Sequence, residues 1–245
     1  MPNKRTAVPL FQVDAFAEQL FSGNPAAVCL LDEAAPVEWM QALATEMNLS
    51  ETAYVRPLDD GFELRWFTPA FEVDLCGHAT LASASILWSK GYVAAGEDLV
   101  FHTHSGALTI HLNGDWIVMD FPAEAATARP VPEGLLQALG VEGVWVGSNR
   151  MDWLVEIRSP LQLRSLAPNY VELARLLERG VIVTCISDDD RYDFLSRFFA
   201  PAVGVNEDPV TGSAHCCLAP YWASSLQKNS LVGFQASPRG GSRGD

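Results

Sequence analysis

The chain repeats one of its own segments, and this repeat constrains the fold more than any single motif does. Residues 65–73 read RWFTPAFEV and residues 197–205 read RFFAPAVGV, so Arg, Phe, Pro, Ala and Val recur in register 132 positions later. A strand, a polar turn and a second strand are predicted around each copy, with the turns at residues 59–61 and 188–191. Self-similarity over this length indicates two homologous α/β lobes.

Helices are expected on both sides of each predicted hairpin. Apolar residues recur at helical spacing before the first hairpin and before the second, at Val37, Met40, Ala44 and Met47 and at Val171, Ala174 and Leu177. After each hairpin a glycine opens a run of small residues, at Gly77 and at Gly212, and both positions predict a helix start.

The lobe boundary is predicted in a segment rich in Pro and Ala. We expect an N-terminal lobe over residues 1–122, a linker over 123–132 and a C-terminal lobe over 133–245. After Gly77 the first lobe continues through three predicted strands and an Asn-Gly turn at residues 113–114. Fewer residues follow Gly212, so the second lobe is expected either to close differently or to be shortened at its C-terminus by a strand or two.

The amino-acid composition and net charge limit the kinds of molecule that the protein is expected to bind. Of 245 residues 49% are hydrophobic, which is typical of a globular protein, and the net charge of -14 would repel nucleic acid and anionic membranes. No apolar run reaches the length of a membrane span or of a signal peptide, so a cytoplasmic protein is expected. Cys29 and Cys185 lie in apolar runs, and we expect buried, reduced thiols.

Two related lobes would bring their equivalent elements to one cleft. The helices beginning at Gly77 and Gly212 would then aim backbone N–H groups at a bound carboxylate or a developing oxyanion. The loops before them carry the ionisable residues Cys76, His78 and Asp208. The sequence therefore predicts a small carboxylate-bearing substrate.

Each candidate residue has a second interpretation that is purely structural. Glu51 precedes the first hairpin, where it is either solvated or a desolvated carboxylate that carries a proton near neutral pH. Asp208 precedes Pro209, which is the pattern of a helix N-cap with Pro at the first helical position. His78 either binds a ligand or caps its own backbone.

Hydrolytic and metal chemistry are disfavoured by spacing. Ser213 and His215 are two positions apart on a predicted helix and would point in different directions, so a Ser-His catalytic pair is rejected. His102 and His104 share a strand face, but only His111 is near enough to be a third ligand. Phosphate-binding loops, dinucleotide fingerprints and zinc-ligand spacings are absent from the sequence, and no metal site is predicted.

Four segments together resemble the PhzF family of phenazine-biosynthesis-like isomerases. They are VDAFAEQLFSGNPAAV from Val13, LSETAYV from Leu49, FTPAFEVDLCGHATLA from Phe67 and FFAPAVGVNEDPVTGSA from Phe198. The resemblance implies the diaminopimelate-epimerase-like fold, in which two pseudo-symmetric lobes each wrap a curved, mostly antiparallel sheet around a central helix. It also implies a homodimer that uses no cofactor.

The resemblance also implies roles for individual residues. In the family's characterised phenazine enzyme, a glutamate moves a proton between ring carbons of trans-2,3-dihydro-3-hydroxyanthranilate. Glu51 matches that glutamate and is the implied acid/base. The residues implied to orient the substrate or bind its polar groups are His78, Asp208, Ser213 and the backbone amides of Gly77 and Gly212.

Two alternatives remain open beside a cofactor-independent isomerase. Related epimerases and racemases use two cysteines, one at each helix start, and here Cys76 keeps the first position while Pro209 occupies the second. An amino-acid epimerase using Cys76 with another partner is one alternative. A non-catalytic protein that binds a small ligand is the other.

Overall fold

The computed structural model describes residues 7–94 and 96–244, which divide into two compact units. The first unit contains the chain up to Ala15 together with Pro25–Asp120. The second contains Phe16–Asn24 together with the chain from Phe121 onward. A short segment near the N-terminus therefore belongs to the second unit although the surrounding chain belongs to the first.

The first unit is built on one mixed sheet. Its elements in chain order are β1 (Leu10–Ala15), β2 (Asn24–Leu30), α1 (Val37–Met47), β3 (Glu51–Leu58), β4 (Gly61–Phe67), β5 (Glu72–Val73), α2 (Gly77–Ser89), β6 (Leu99–Thr103), β7 (Gly106–Asn113) and β8 (Trp116–Met119). The strand order is β1-β2-β3-β4-β6-β7-β8, with β5 paired to β4. The pairs β2–β3 and β4–β6 are parallel, whereas β3–β4, β4–β5, β6–β7 and β7–β8 are antiparallel.

Alternation along β3 distributes side chains between two cores. Ala53 and Val55 face α2 and join a cluster that contains Trp66 and Phe101. Tyr54, on the opposite face, packs with α1 and donates a hydrogen bond from its hydroxyl to the Met40 carbonyl. The helix α2 is almost wholly buried because its small residues allow close packing against the sheet.

The second unit has the corresponding architecture. Its elements are β9 (Thr127–Ala128), α3 (Leu135–Leu139), β10 (Trp145–Ser148), β11 (Asp152–Glu156), α4 (Pro160–Arg164), α5 (Tyr170–Leu176), β12 (Gly180–Ile186), β13 (Phe194–Ala200), β14 (Val205–Asp208), α6 (Gly212–Leu226), β15 (Val232–Gln235) and β16 (Gly241–Gly244). The strand order is β16-β15-β13-β12-β11-β10-β9, with β14 paired to β13. One face of this sheet packs against α6 and the other contributes to a core with α3, α4 and α5.

The two sheets share a pairing pattern, in agreement with the internal repeat. A parallel pair, β2–β3 or β11–β12, is followed by an antiparallel hairpin, β3–β4 or β12–β13. The second strand of each hairpin then pairs in parallel with β6 or β15. Of the described residues, none forms a strand in the second unit that corresponds to β8.

Most of the elements expected from the sequence are present. Both hairpins form, and α2 and α6 begin at Gly77 and Gly212. The helix before the second hairpin also forms, and of its three predicted apolar positions only Leu177 is buried. Val171 and Ala174 are exposed, whereas Leu173 of the helix and Leu177 directly after it enter the core.

Two observations concern the expectations for the cysteines and for membrane-spanning segments. All five cysteines are free, and Cys29 and Cys185 are fully buried, as expected. Within residues 7–94 and 96–244, the helices are too short or too polar to cross a membrane.

Replacing Gly61 with Ala is expected to lower the free energy of unfolding by about 2–3 kcal/mol. Gly61 opens β4 with φ +141°, and a Cβ there would lie 2.4 Å from the Val100 carbonyl oxygen. Because that atom is backbone, the β4–β6 pairing must shift to relieve the clash. Urea denaturation of the variant measures the loss.

The matched control for this variant is Gly114→Ala. Gly114 also has a positive φ of +59°, but a Cβ there would meet no atom within 4 Å. Its replacement should therefore cost only about 1 kcal/mol, from backbone conformation alone. Equal losses in the two variants would contradict the steric explanation.

Candidate functional site

Glu51 lies where three elements of the first unit come together. It is the first residue of β3 and pairs in parallel register with Ala26 of β2. Its carboxylate oxygen Oε2 lies 3.3 Å from Nε2 of His78, the second residue of α2. The Glu51 side chain is 18% exposed, so it is largely desolvated and still accessible.

The ring of His78 lies between a carboxylate and a thiol. Its Nδ1 is 3.5 Å from Sγ of Cys76, the residue that precedes α2. Burial lowers the pKa of His78 to about 3, so the ring is neutral and its contact with Glu51 is not an ion pair. Nε2 of the ring thus faces the Glu51 carboxylate, and Nδ1 faces the Cys76 thiol.

The Glu51 cluster, defined as Glu51, Cys76 and His78, also has the composition of a metal site. One candidate ligand atom from each residue lies within 4.8 Å of the other two. Carboxylate, thiolate and imidazole are all zinc ligands. However, the two nitrogens of one ring face the two other groups separately, Nε2 toward Glu51 and Nδ1 toward Cys76.

A second set of residues surrounds Asp208 in the second unit. Asp208 ends β14, and its carboxylate accepts hydrogen bonds from Thr211 Oγ1 and, at 2.8 Å, from Asn24 Nδ2. Burial raises the pKa of Asp208 to about 6, although these two donors oppose the shift. A buried carboxyl group with a pKa near neutrality is characteristic of functional sites.

Gln235 of β15 fixes the loop between Asp208 and α6. Its Nε2 donates to the Asp208 carbonyl at 2.7 Å, and its Oε1 accepts from the Thr211 amide at 2.9 Å. Asn24 adds a hydrogen bond from Nδ2 to the Val210 carbonyl. The loop that carries Asp208 is thus held on two sides by buried amide side chains.

The N-cap interpretation of Asp208 and Pro209 was wrong. The helix α6 begins at Gly212, three residues after Pro209, and its N-cap is Thr211. The hydrogen bonds from Gln235 hold residues 208–211 outside the helix. The Asp208 side chain consequently accepts from Thr211 and Asn24 instead of capping a helix at Pro209.

The serine and histidines considered for hydrolytic or metal chemistry contact other groups in the structure. Ser213 Oγ accepts a hydrogen bond from Arg179, whereas His215 Nδ1 contacts the Thr211 carbonyl at 2.9 Å. The three histidines considered for a metal each approach a different acidic residue, His102 with Asp60, His104 with Glu72 and His111 with Asp98. Neither a serine nucleophile pair nor a histidine metal site is formed by these residues.

Sequence reasoning missed four residues of the second unit, Asn24, Asp152, Arg179 and Gln235. Asn24 lies within a segment that carries the family resemblance, and a buried Asn beside a sharp turn could have been suspected. Asp152, Arg179 and Gln235 stand in no recognisable motif, and they approach the site only through strand pairing. The prediction that the Glu51 and Asp208 groups face a common cleft stays a prediction.

Comparison with known proteins shows to which family this chain belongs. The family model described as phenazine biosynthesis-like protein, PhzC-PhzF, matches residues 13–242. An uncharacterized isomerase of Halalkalibacterium halodurans is 54% identical over 234 residues, covering 95% of this chain and 88% of that protein. A PhzF-family crystal structure from Enterococcus faecalis superimposes with a TM-score of 0.91 at 41% identity, covering 97% of this chain and 90% of that one.

A more distant solved structure shares the fold. The structure of a predicted epimerase from Pseudomonas aeruginosa aligns with a TM-score of 0.72 at 22% identity, over 97% of this chain and 91% of that one. At this identity the likeness shows the fold alone. The fold predicted from the internal repeat and the family resemblance is confirmed.

The protein therefore belongs to a class of isomerases built from two related α/β units. Within that class, the chain is a member of the phenazine biosynthesis-like PhzF family.

Proposed function

We propose that this protein is a cofactor-independent isomerase that moves a proton within a small carboxylate-bearing substrate. Glu51 is the group that carries the proton. The observation that supports this role is its position beside a neutral, buried His78 at the start of β3. A partly exposed carboxylate beside a neutral, fixed ring suits general acid/base catalysis.

The proposed reaction conserves the atoms of the substrate. The Glu51 carboxylate accepts a proton from one carbon, and the resulting carboxylic acid returns it to another carbon. His78 orients the carboxylate through its ring nitrogen, and because the ring stays neutral it does not compete for the proton.

Residues of the second unit are proposed to bind the polar groups of the substrate. Asp208 presents a carboxyl group whose raised pKa allows it to donate or accept a hydrogen bond near neutral pH. Ser213 and the amide of Gly212 lie at the start of α6, where the helix dipole favours an anionic group. In the first unit, the Gly77 amide at the start of α2 is proposed to contribute in the same way.

An epimerase that uses Cys76 is the second candidate. The short approach of Cys76 Sγ to His78 Nδ1 favours it, because the contact fixes the position of the thiol beside Glu51. A two-thiol epimerase would also need a second cysteine as the partner of Cys76. Cys217 is fully buried and burial raises its pKa to about 12, so it is a poor proton acceptor at neutral pH.

Deuterium incorporation separates these functions. The protein is incubated in D2O with trans-2,3-dihydro-3-hydroxyanthranilate, other cyclic carboxylates and a set of α-amino acids, and products are followed by NMR. Isomerisation with deuterium at a ring carbon supports the proposal. Incorporation only at the α-carbon, with inversion, supports the epimerase, and binding of a carboxylate with no exchange supports a non-catalytic protein.

The assembly is proposed to be a homodimer, as the family resemblance implies. Sedimentation equilibrium of the purified chain tests this, because a single species of about twice the chain mass is expected.

A further inference from the structure

A fixed guanidinium lies next to the proposed substrate-binding residues of the second unit. Arg179 precedes β12, and its Nη2 donates to Ser213 Oγ at 2.7 Å while its Nη1 donates to Asp152 Oδ2 at 2.7 Å. The guanidinium also stacks over the ring of Phe198, 5.5 Å from the centroid. Three contacts thus hold the head group in one orientation.

The anchor of this arrangement is Asp152. It is the first residue of β11, and its side chain is fully buried. Burial raises the pKa of this carboxyl to about 6, whereas the charge of Arg179 opposes the rise. A buried carboxylate is stabilised by a charged partner. The ion pair with Asp152 therefore holds the Arg179 guanidinium in place.

Arg179 has donors that its hydrogen bonds to the described residues do not use. A guanidinium has five N–H donors. Within the described residues, its hydrogen bonds occupy two donors on Nη1, to Asp152 and to the Met151 sulfur, and one on Nη2. Nε–H and the second Nη2–H are left, and the side chain is 33% exposed.

The same contact prepares Ser213 as a donor. Arg179 has no acceptor atom, so Ser213 Oγ can only accept from it. The Ser213 hydroxyl proton must then point elsewhere. Ser213 is the second residue of α6, so the positive end of the helix dipole lies at the same place. The N-cap residue Thr211 makes no side-chain capping hydrogen bond there.

We propose that Arg179 binds the carboxylate of the substrate, with the Ser213 hydroxyl donating to the same group, and that Asp152 is the positioning residue for Arg179. This inference rests on the proposed function and specifies its substrate class. The substrate must carry an ionised carboxylate, because a guanidinium paired with a carboxylate forms a charge-assisted hydrogen bond that a neutral amide cannot replace.

The test compares two ligands that differ only at the carboxyl group. The dissociation constants of 3-hydroxyanthranilate and of 2-amino-3-hydroxybenzamide are measured by calorimetry for the full chain and for Arg179→Met. The variant should bind the carboxylate about 10- to 100-fold more weakly and the amide with unchanged affinity. Arg179→Lys should recover only part of the affinity, because an ammonium group lacks the planar pair of donors.

Two further variants separate binding from stability. Arg164→Met is the matched control, since Arg164 also pairs with an aspartate, Asp188, and is 40% exposed, but lies outside the proposed site. It should bind both ligands as the unaltered protein does. Asp152→Asn/Arg179→Met removes both charges, so it should fold even where Arg179→Met alone is unstable, and it should show the same selective loss of carboxylate binding.

The outcomes for Arg179 and for the proposed function are distinct. If Arg179→Met binds the carboxylate as tightly as the unaltered protein, the inference is overturned, and Arg179 serves only to neutralise the charge of Asp152. The proposed isomerase function still holds in that case if the unaltered protein exchanges a substrate proton. If the unaltered protein binds no carboxylate and exchanges no proton, both fall together.

Discussion

Glu51→Gln should lower the rate of proton transfer by about 10³-fold while leaving ligand affinity within about a factor of two. The amide preserves the size of the side chain and its approach to His78, but it cannot take up and return a proton. Single-turnover deuterium incorporation measures the rate, and calorimetry with 3-hydroxyanthranilate measures the affinity.

Two control variants make the result specific. Glu63→Gln alters a carboxylate on the neighbouring strand β4 that pairs with Arg56 at 2.8 Å, and it should leave the rate unchanged. Cys76→Ser should lower the rate by less than about tenfold, because in the proposed reaction the thiol only contacts His78. An inactive Cys76 variant beside an active Glu51 variant would favour the epimerase.

Local patterning is what made the framework of the fold predictable. The hairpins around residues 65–73 and 197–205 combine strand-forming runs with polar turns, and the same residue types recur at matching positions of the two hairpins. Gly77 and Gly212 open helices of small residues that pack closely on a sheet, so their starts were also readable. Each of these features depends on residues close together in sequence.

The parts of the site that were missed depend on contacts between distant segments. Gln235 holds the loop after Asp208 through strand β15, and this overrode the local preference of Asp-Pro to open a helix. Asn24 reaches Asp208 from a position 184 residues earlier. Asp152 meets Arg179 because β11 and β12 pair in parallel at Asp152 and Gly180. No local signal encodes such pairings.

The internal repeat extends to a pair of buried ionic contacts. Arg65 and Arg197 occupy the same position of the repeat, and each forms two hydrogen bonds with a glutamate, Glu72 or Glu207. The side chains of Arg197 and Glu207 are 6% and 11% exposed, against 18% and 22% for Arg65 and Glu72. The copies therefore share a geometry and differ in burial.

Arg197→Met should lower the free energy of unfolding by about 3–5 kcal/mol, since it strands a buried carboxylate. It also removes the donor to the carbonyls of Leu163 and Leu166, which ties β13 to the last turn of α4 and to the segment that follows it. The equivalent change Arg65→Met should cost only about 1 kcal/mol, because water can solvate the freed Glu72. Urea denaturation at pH 7 measures both.

A double variant tests whether the uncompensated charge is the cause. Arg197→Met/Glu207→Leu removes both members of this buried ion pair, and apolar side chains can fill the space. The double variant should recover about half or more of the stability lost by Arg197→Met, because replacing both members of a buried ion pair is far less costly than removing one. If the double variant is as unstable as the single one, the carbonyl hydrogen bonds rather than the Glu207 charge account for the loss. If Arg65→Met and Arg197→Met cost the same, burial does not distinguish the two copies.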